Sequence, residues 1–402
     1  MSTKKSTRRE ALMLGLGTCA SVGIWQGLTK LSKNYQQTQL LAANANKNFK
    51  VVGDSALKER AVAKKLLYGA ATSSDRLGSD ENFTISFLRE CAILMAEGDF
   101  IWNSLRPSRD SFSFERADWF VEFGRIHNLL IGATHLVWHE ALPSWLKDTL
   151  NQQNARDILL KHIEKVAGRY AGKIHFWSVV NEAVEPADGR ADGLRNSLWL
   201  QSIGSDYIEI AFRAAAEADP NALLLYNDNR IEFDTPYQDL MRTNVLKLLE
   251  RLKSRDTPVH AMGMQAHLNP SDGFNPEKLR NFMRNVADLG LKIVITELDV
   301  TDRDLPKDIN QRDRIVAGIY EDFLSVVLDE PAVTAVTTWG LSDRATWLSW
   351  FAPRNDGTSV RPLPLDAALN RKLAWNAVAR AFDGTASRQS SSRLWNTWEN
   401  LN

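Results

Sequence analysis

Two glutamates, Glu182 and Glu297, sit where apolar, β-branched runs give out. The first closes "HFWSVVNE" and the second interrupts "KIVITELDV". Each has polar company, Asn181 beside Glu182 and Asp299 just past Glu297. A single carboxylate at a strand exit is ordinary, because charged side chains gather where the chain reaches water. Two of them on one rim suggest chemistry. A carboxyl that keeps its proton can protonate a leaving oxygen, while an ionised one attacks the carbon behind it; this pairing cleaves glycosidic bonds. His267, in "AMGMQAHL", is placed to hydrogen-bond Glu297 and hold it ionised, which leaves Glu182 as the protonated partner.

Such a division of labour needs a scaffold that brings distant strand ends together. Eight short β-like runs recur: "LLYGA" (66–70), "DFIWNSL" (99–105), "LIGATHLVW" (130–138), "IHFWSVVN" (174–181), "ALLLYND" (222–228), "AMGMQAHL" (261–268), "KIVITELDV" (292–300) and "VTAVTTWGL" (333–341). Stretches of helical period separate them, as in 154–173 and 313–330. Strands alternating with helices imply a parallel sheet, and eight units predict an α/β fold of the (β/α)8 TIM-barrel class. A doubly wound open sheet is the alternative, but no phosphate loop follows the first run. Barrel active sites lie at the C-terminal strand ends. Those ends carry Trp138–His139, Asn181–Glu182, Asn227–Asp228, Gln265 and His267, Glu297 and Asp299, and Trp339–Gly340. Glu182 and Glu297, 115 residues or about three βα units apart, then face each other across the mouth.

Other chemistries find little support. "HEALP" (139–143) fails the H-E-x-x-H zinc pattern at Pro143, and no G-x-S-x-G elbow occurs. The chain of 402 residues has 49 Lys+Arg against 49 Asp+Glu, so it shows no nucleic-acid footprint. Thirteen Trp residues suit either core filling or stacking on sugar rings. Lys4, Lys5, Arg8 and Arg9 precede a short apolar run, a twin-arginine-like export signal that places the protein in the periplasm or outside the cell. An uncleaved anchor helix is the competing reading. Ala43–Asn44–Ala45 offers a cleavage site, after which Cys91 is the only cysteine and no stable membrane contact is expected. These features divide the chain into a signal and polar linker (1–47), a barrel (48–385) and a flexible Ser-rich tail (386–402), in which Trp395 and Trp398 could dock as a helical turn.

The blocks "HLVWHEALPSW", "FWSVVNEAVEP", "DPNALLLYNDNRIE", "AMGMQAHL", "VITELDV", "TTWGLSDRATW" and "RPLPLDAAL" come in the order found in glycoside hydrolase family 10, the endo-β-1,4-xylanase family, which the chain resembles from about residue 66 to 383. The resemblance implies a retaining mechanism with Glu182 as acid/base and Glu297 as nucleophile. It implies that Asn181 meets the sugar 2-hydroxyl and that His267, Gln265 and Asp299 form the network around the nucleophile. Trp339 and Trp347 would wall the sugar beside the cleaved bond, with Trp138 and His139 at its floor and Glu97 and Trp102 on the glycone side. It implies a xylan-like polysaccharide as partner, a monomer, and no metal or cofactor. The family's Glu-Asn-x-x-Lys-Trp reads "EGDFIW" here, with Gly98 for Asn and Ile101 for Lys. Its Gly-His-Thr-Leu-Val-Trp-His reads "ATHLVWH", with Thr134 at the His and His135 at the Thr, and Ala141 replaces a common Gln. These losses leave three expectations open: a xylanase weak on the glycone side, a hydrolase of another β-glycan, or a carbohydrate binder that turns over slowly.

Overall fold

The computed structural model describes residues 37–388 and 392–402; the export-signal residues lie outside that range. Eight strands build the core: β1 (Leu67–Thr72), β2 (Ile93–Ala96), β3 (Leu130–Ala133), β4 (Phe176–Asn181), β5 (Leu223–Asp228), β6 (Ala261–Met264), β7 (Lys292–Val300) and β8 (Val333–Thr338). All pairings between neighbours are parallel, and β8 pairs back onto β1, with Leu67 opposite Ala335, so the sheet closes. A two-residue strand, His267–Leu268, continues past β6 and pairs with the end of β7, His267 opposite Asp299. This is the expected (β/α)8 barrel. Of the residues in the eight barrel strands only Lys292 is not buried. A sheet covered on both faces must be apolar on both, which explains why the sequence runs lacked alternation.

The second strand lies earlier than predicted. "ILMA" (93–96) forms β2, whereas 99–105 is a loop followed by the helical turn Trp102–Leu105. Phe100, Ile101 and Trp102 mimic a strand by composition. In the fold Phe100 and Trp102 are core residues of that connection. The shift puts Glu97, not Trp102, directly at the strand end.

The described parts of both predicted flanks are helical. Residues 37–45 are helical and dock on the helix Ile309–Val327. Asn44 is 2% exposed and fills the space that Gly318 leaves, where an added Cβ would stand 1.8 Å from its Oδ1. Arg314 donates to the carbonyls of Asn44, Ala45 and Lys47, and Lys47 pairs with Asp322. The polar linker is therefore a packed strap. At the other end Arg393–Leu401 is a helix capped by Ser392, and Leu394 and Trp395 are buried with Leu67, Leu130, Phe176 and Leu223 at the barrel's N-terminal end. The Ser-rich stretch before it conceals an amphipathic spacing of Leu394, Trp395, Trp398 and Leu401. Burying one large apolar side chain is worth about 1.5–3 kcal/mol. Truncation after residue 385 is therefore expected to destabilise the barrel by about 3–5 kcal/mol, read as a lowered midpoint in denaturant; an unchanged midpoint would show that the helix is merely decorative.

Candidate active site

β4 ends at Asn181, and the chain turns there. Glu182 has φ +53°, a left-handed conformation uncommon outside glycine and worth about 1–3 kcal/mol of strain. Two contacts hold that turn: the Glu182 amide donates to the Asn227 carbonyl at 2.9 Å, and Arg195 Nε donates to the Glu182 carbonyl at 2.8 Å. Glu297 stays within β7, its amide bonded to the Gln265 carbonyl at 3.0 Å. One carboxylate thus projects from a strained turn and the other from a rigid strand.

A continuous network joins them. Asn227 Nδ2 donates to Glu297 Oε1 at 2.7 Å and to Asn181 Oδ1 at 2.9 Å. Gln265 Nε2 donates to the same Asn181 oxygen at 3.1 Å and to Glu182 Oε1 at 2.9 Å. Asn181 Nδ2 and Trp138 Nε1 each reach Glu182 at 3.2 Å. Behind Glu297, His267 bridges Glu297 Oε2 at 3.3 Å and Asp299 Oδ1 at 2.9 Å, and Trp347 Nε1 donates to Asp299 Oδ2 at 2.7 Å. The predicted Glu182, Glu297, Asn181, Gln265, His267, Asp299, Trp138 and Trp347 therefore converge at one mouth. Trp339 stands edge-on to His267 at 6.4 Å between ring centres.

Burial alone would strip the proton from His267, but Asp299 and Glu297 outweigh it and hold the imidazole charged well above its usual range. Glu182 differs from expectation. Burial pushes its carboxyl up, yet the Gln265 amide, nearby His139 and the Trp138 indole together bring it below the ordinary value. In the free site it is ionised, not protonated: sequence order could show the carboxylates but not how many donors would face Glu182. His139 Nδ1 lies 3.9 Å from Glu182 Oε2, too far to bond, and burial together with Arg195 depresses it to about 4.

The glycone side needs two corrections. Trp102 is 1% exposed, stacked on His162 at 3.6 Å with its indole N–H on the Leu136 carbonyl, so it supports the rim from within and meets no ligand. Nor is the imidazole of strand three simply lost. Thr134 turns away to the Ala96 carbonyl, while His135 bonds Ser178 at 2.7 Å, packs edge-on to Trp138 and lies close enough to Glu182 and Glu297 for their charges to act on it. Glu97 lines, with Trp347, a cavity beside the mouth, and burial raises its carboxyl. Asn227, Arg195 and His135 had no assigned role from sequence. Asn227 was legible in principle, since it lies next to the end of β5 at the same level as Asn181, its partner across the β4–β5 pairing.

Burial depresses His135, His162, His175, His139 and His260, the last three to about 4. Each is neutral when folded but takes a proton when unfolded below pH 6.5. Their stabilisation is complete above that value and is lost as the pH falls toward 4. His267 shifts the other way, but between 4 and 6.5 it is charged in both states and adds no slope. The histidines therefore pull thermal midpoints down from pH 6.5 to 4, while Asp228 and Asp343, raised by burial to about 7 and about 6, bind protons first in the folded state and offset part of the fall. His162→Phe, which keeps the stack on Trp102 without a titrating ring, should flatten the fall; an equally steep curve would assign the effect elsewhere.

The sequence profile described as glycosyl hydrolase family 10 matches residues 56–381. The chain belongs to that family. Among its family 10 relatives, the endo-1,4-beta-xylanase of Geobacillus stearothermophilus is 34% identical over 324 residues, covering 77% of this chain and 94% of the relative. The native xylanase 10B structure from Thermotoga maritima superposes with a TM-score of 0.74 at 31% identity, covering 82% of this chain and 98% of that one. A xylanase 10B from Thermotoga petrophila RKU-1, in complex with xylobiose, gives 0.74 at 30% identity over 83% and 99%. The family 10 match stops short of Arg393–Leu401, so the helix at the foot of this barrel lies beyond it.

Proposed function

We propose that this family 10 hydrolase is a retaining endo-1,4-beta-xylanase in which Glu297 is the nucleophile and Glu182 the acid/base. The observation that carries the reading is the unbroken path Glu182–Gln265–Asn181–Asn227–Glu297, which fixes two carboxylates at one mouth with shared donors. The xylobiose complex of a relative supports the substrate class. Glu297 attacks the anomeric carbon as the bond to the leaving sugar oxygen breaks, and Glu182 gives that oxygen its proton. Glu182 then takes a proton from water, whose oxygen attacks the same carbon and frees Glu297. Asn181 lies between the two and offers its amide to the sugar 2-hydroxyl.

Glu182 must regain a proton when substrate binds. A sugar over it excludes the remaining water, and the glycosidic oxygen accepts a hydrogen bond only from the protonated form; both push its carboxyl up. His267 bonds Glu297 Oε2 at 3.3 Å and Asn227 bonds Oε1 at 2.7 Å, which aim the carboxylate for attack. Incubation with a panel of β-linked polysaccharides, with products sized, tests the assignment. Short xylo-oligosaccharides of retained anomeric configuration are expected; release from another β-glycan alone would replace the substrate, and no release from any would leave the slow carbohydrate binder.

The enzyme is further proposed to act outside the cytoplasm, exported by the Arg8–Arg9 signal, and to work as a monomer. No helix among the described residues is long and apolar enough to cross a membrane. Changing both arginines to Lys should leave the folded protein in the cytoplasm; unchanged export would overturn that assignment.

A further inference from the structure

We propose that the glycone end of the mouth takes a carboxylate carried as a side group on the sugar chain, and that Arg76 is the residue that binds it. The proposal rests on the hydrolase reading above and specifies its substrate. A cavity of about 300 Å³ opens beside the catalytic mouth, lined by Ser73, Arg76, Glu97, Arg344, Trp347 and Trp350 among others. The neighbouring arginines are already occupied. Arg344 grips Asp80 at 2.9 and 3.1 Å, and Arg116 bridges Asp75 at 2.8 Å and Asp99 at 2.9 Å. The half-buried Arg76 guanidinium makes no side-chain hydrogen bond or ion pair among the described residues, although its charge reaches Glu97. Trp350, 73% exposed, offers an open aromatic face in the same wall.

A cation in a cavity without a partner is a vacancy for an anion, and a guanidinium meets a carboxylate with two parallel hydrogen bonds. Arg344 is neutralised by Asp80 and Asp343 by Lys372, which leaves the Arg76 guanidinium as the lining cation with no hydrogen-bonded counter-charge. A singly charged group suits it, whereas a doubly charged one would meet Glu97 at a cost. The same end lacks the polar anchors that Gly98 and Ile101 replace. An added Cβ at Gly98 would meet nothing within 4 Å, so room remains for a substituent. The anchors for a plain chain have gone, and the cavity beyond Glu97 offers a side group room.

The test compares kcat/KM on three matched substrates: a neutral xylo-oligosaccharide, the same chain bearing a uronic acid on the glycone side, and that compound with its carboxylate reduced to an alcohol. The acidic substrate should be preferred by about tenfold or more, a typical worth for one charge-assisted pair, and reduction should abolish the preference. Arg76→Gln should bring the acidic-to-neutral ratio close to one, while Arg76→Lys keeps part of it. A wild-type ratio near one overturns the inference alone, because the neutral chain is still cut. A ratio that survives Arg76→Gln, with both rates falling together, overturns it by reducing Arg76 to a structural part. If none of the three is cut, the xylanase assignment fails and this inference with it.

Discussion

Glu297→Ala is expected to abolish hydrolysis of every substrate, whereas Glu182→Ala should divide substrates by their leaving groups. Without Glu297 no covalent intermediate forms, and the network offers no substitute: Asn227 and His267 can only donate to a carboxylate that is no longer there. Loss of a general acid costs about 10²–10⁴-fold where the departing oxygen needs a proton, as in xylan. An activated aryl leaving group needs little protonation, so its bond breaks at nearly the normal rate and only the return of water slows. Kinetics on xylan and on an aryl xylobioside, run side by side, check this. Equal losses on both substrates would remove Glu182 from the acid role. A Glu297→Ala enzyme that still turns over would remove Glu297 from the nucleophile role.

The second large effect belongs to Gly98 and Ile101. Gly98→Asn with Ile101→Lys should raise kcat/KM on unsubstituted xylan by roughly ten- to a thousandfold. Each regained hydrogen bond to a sugar hydroxyl is worth about 0.5–1.5 kcal/mol, and more from a charged donor. The geometry permits both changes. The Cβ of an Asn at 98 meets open space, and the Gly98 carbonyl already holds the Ser104 hydroxyl at 2.7 Å, so the loop is fixed before the side chain is added. Ile101 is half-buried at the start of the turn Trp102–Leu105, with a path to solvent for a Lys stem. Thr134→His is not expected to help. Thr134 is 1% exposed, with its hydroxyl on the Ala96 carbonyl, and His135 already brings an imidazole beneath the mouth. A double variant no better than the parent would show that these positions do not touch the sugar chain.

Much of this was legible in the sequence because a closed barrel is a repetitive object. Buried parallel strands read as apolar runs, and the residues that stop those runs fall on one rim. Glu182, Glu297, Asn181, Gln265 and His267 could therefore be picked by position alone. What failed was local or collective. Phe100–Ile101–Trp102 looked like a strand because aromatic residues suit strands and buried loops alike, and only the packing of Trp102 on His162 separates the two. The ionised state of Glu182 depends on Gln265, His139 and Trp138, carried by two other strand ends, which no spacing rule counts. The terminal helix was hidden because a Ser-rich stretch masks a docking face of two or three side chains.

The packed strap at the N-terminus has a mechanical consequence. Gln37 reaches the carbonyl of Asp304, in the loop that follows β7 on the same rim as Glu297, and from there the strap runs down the wall to Lys47 and Asp322. The strap therefore ties the loop behind the nucleophile's strand to the helix Ile309–Val327, so that cutting it should loosen the lip of the cleft before it loosens the barrel.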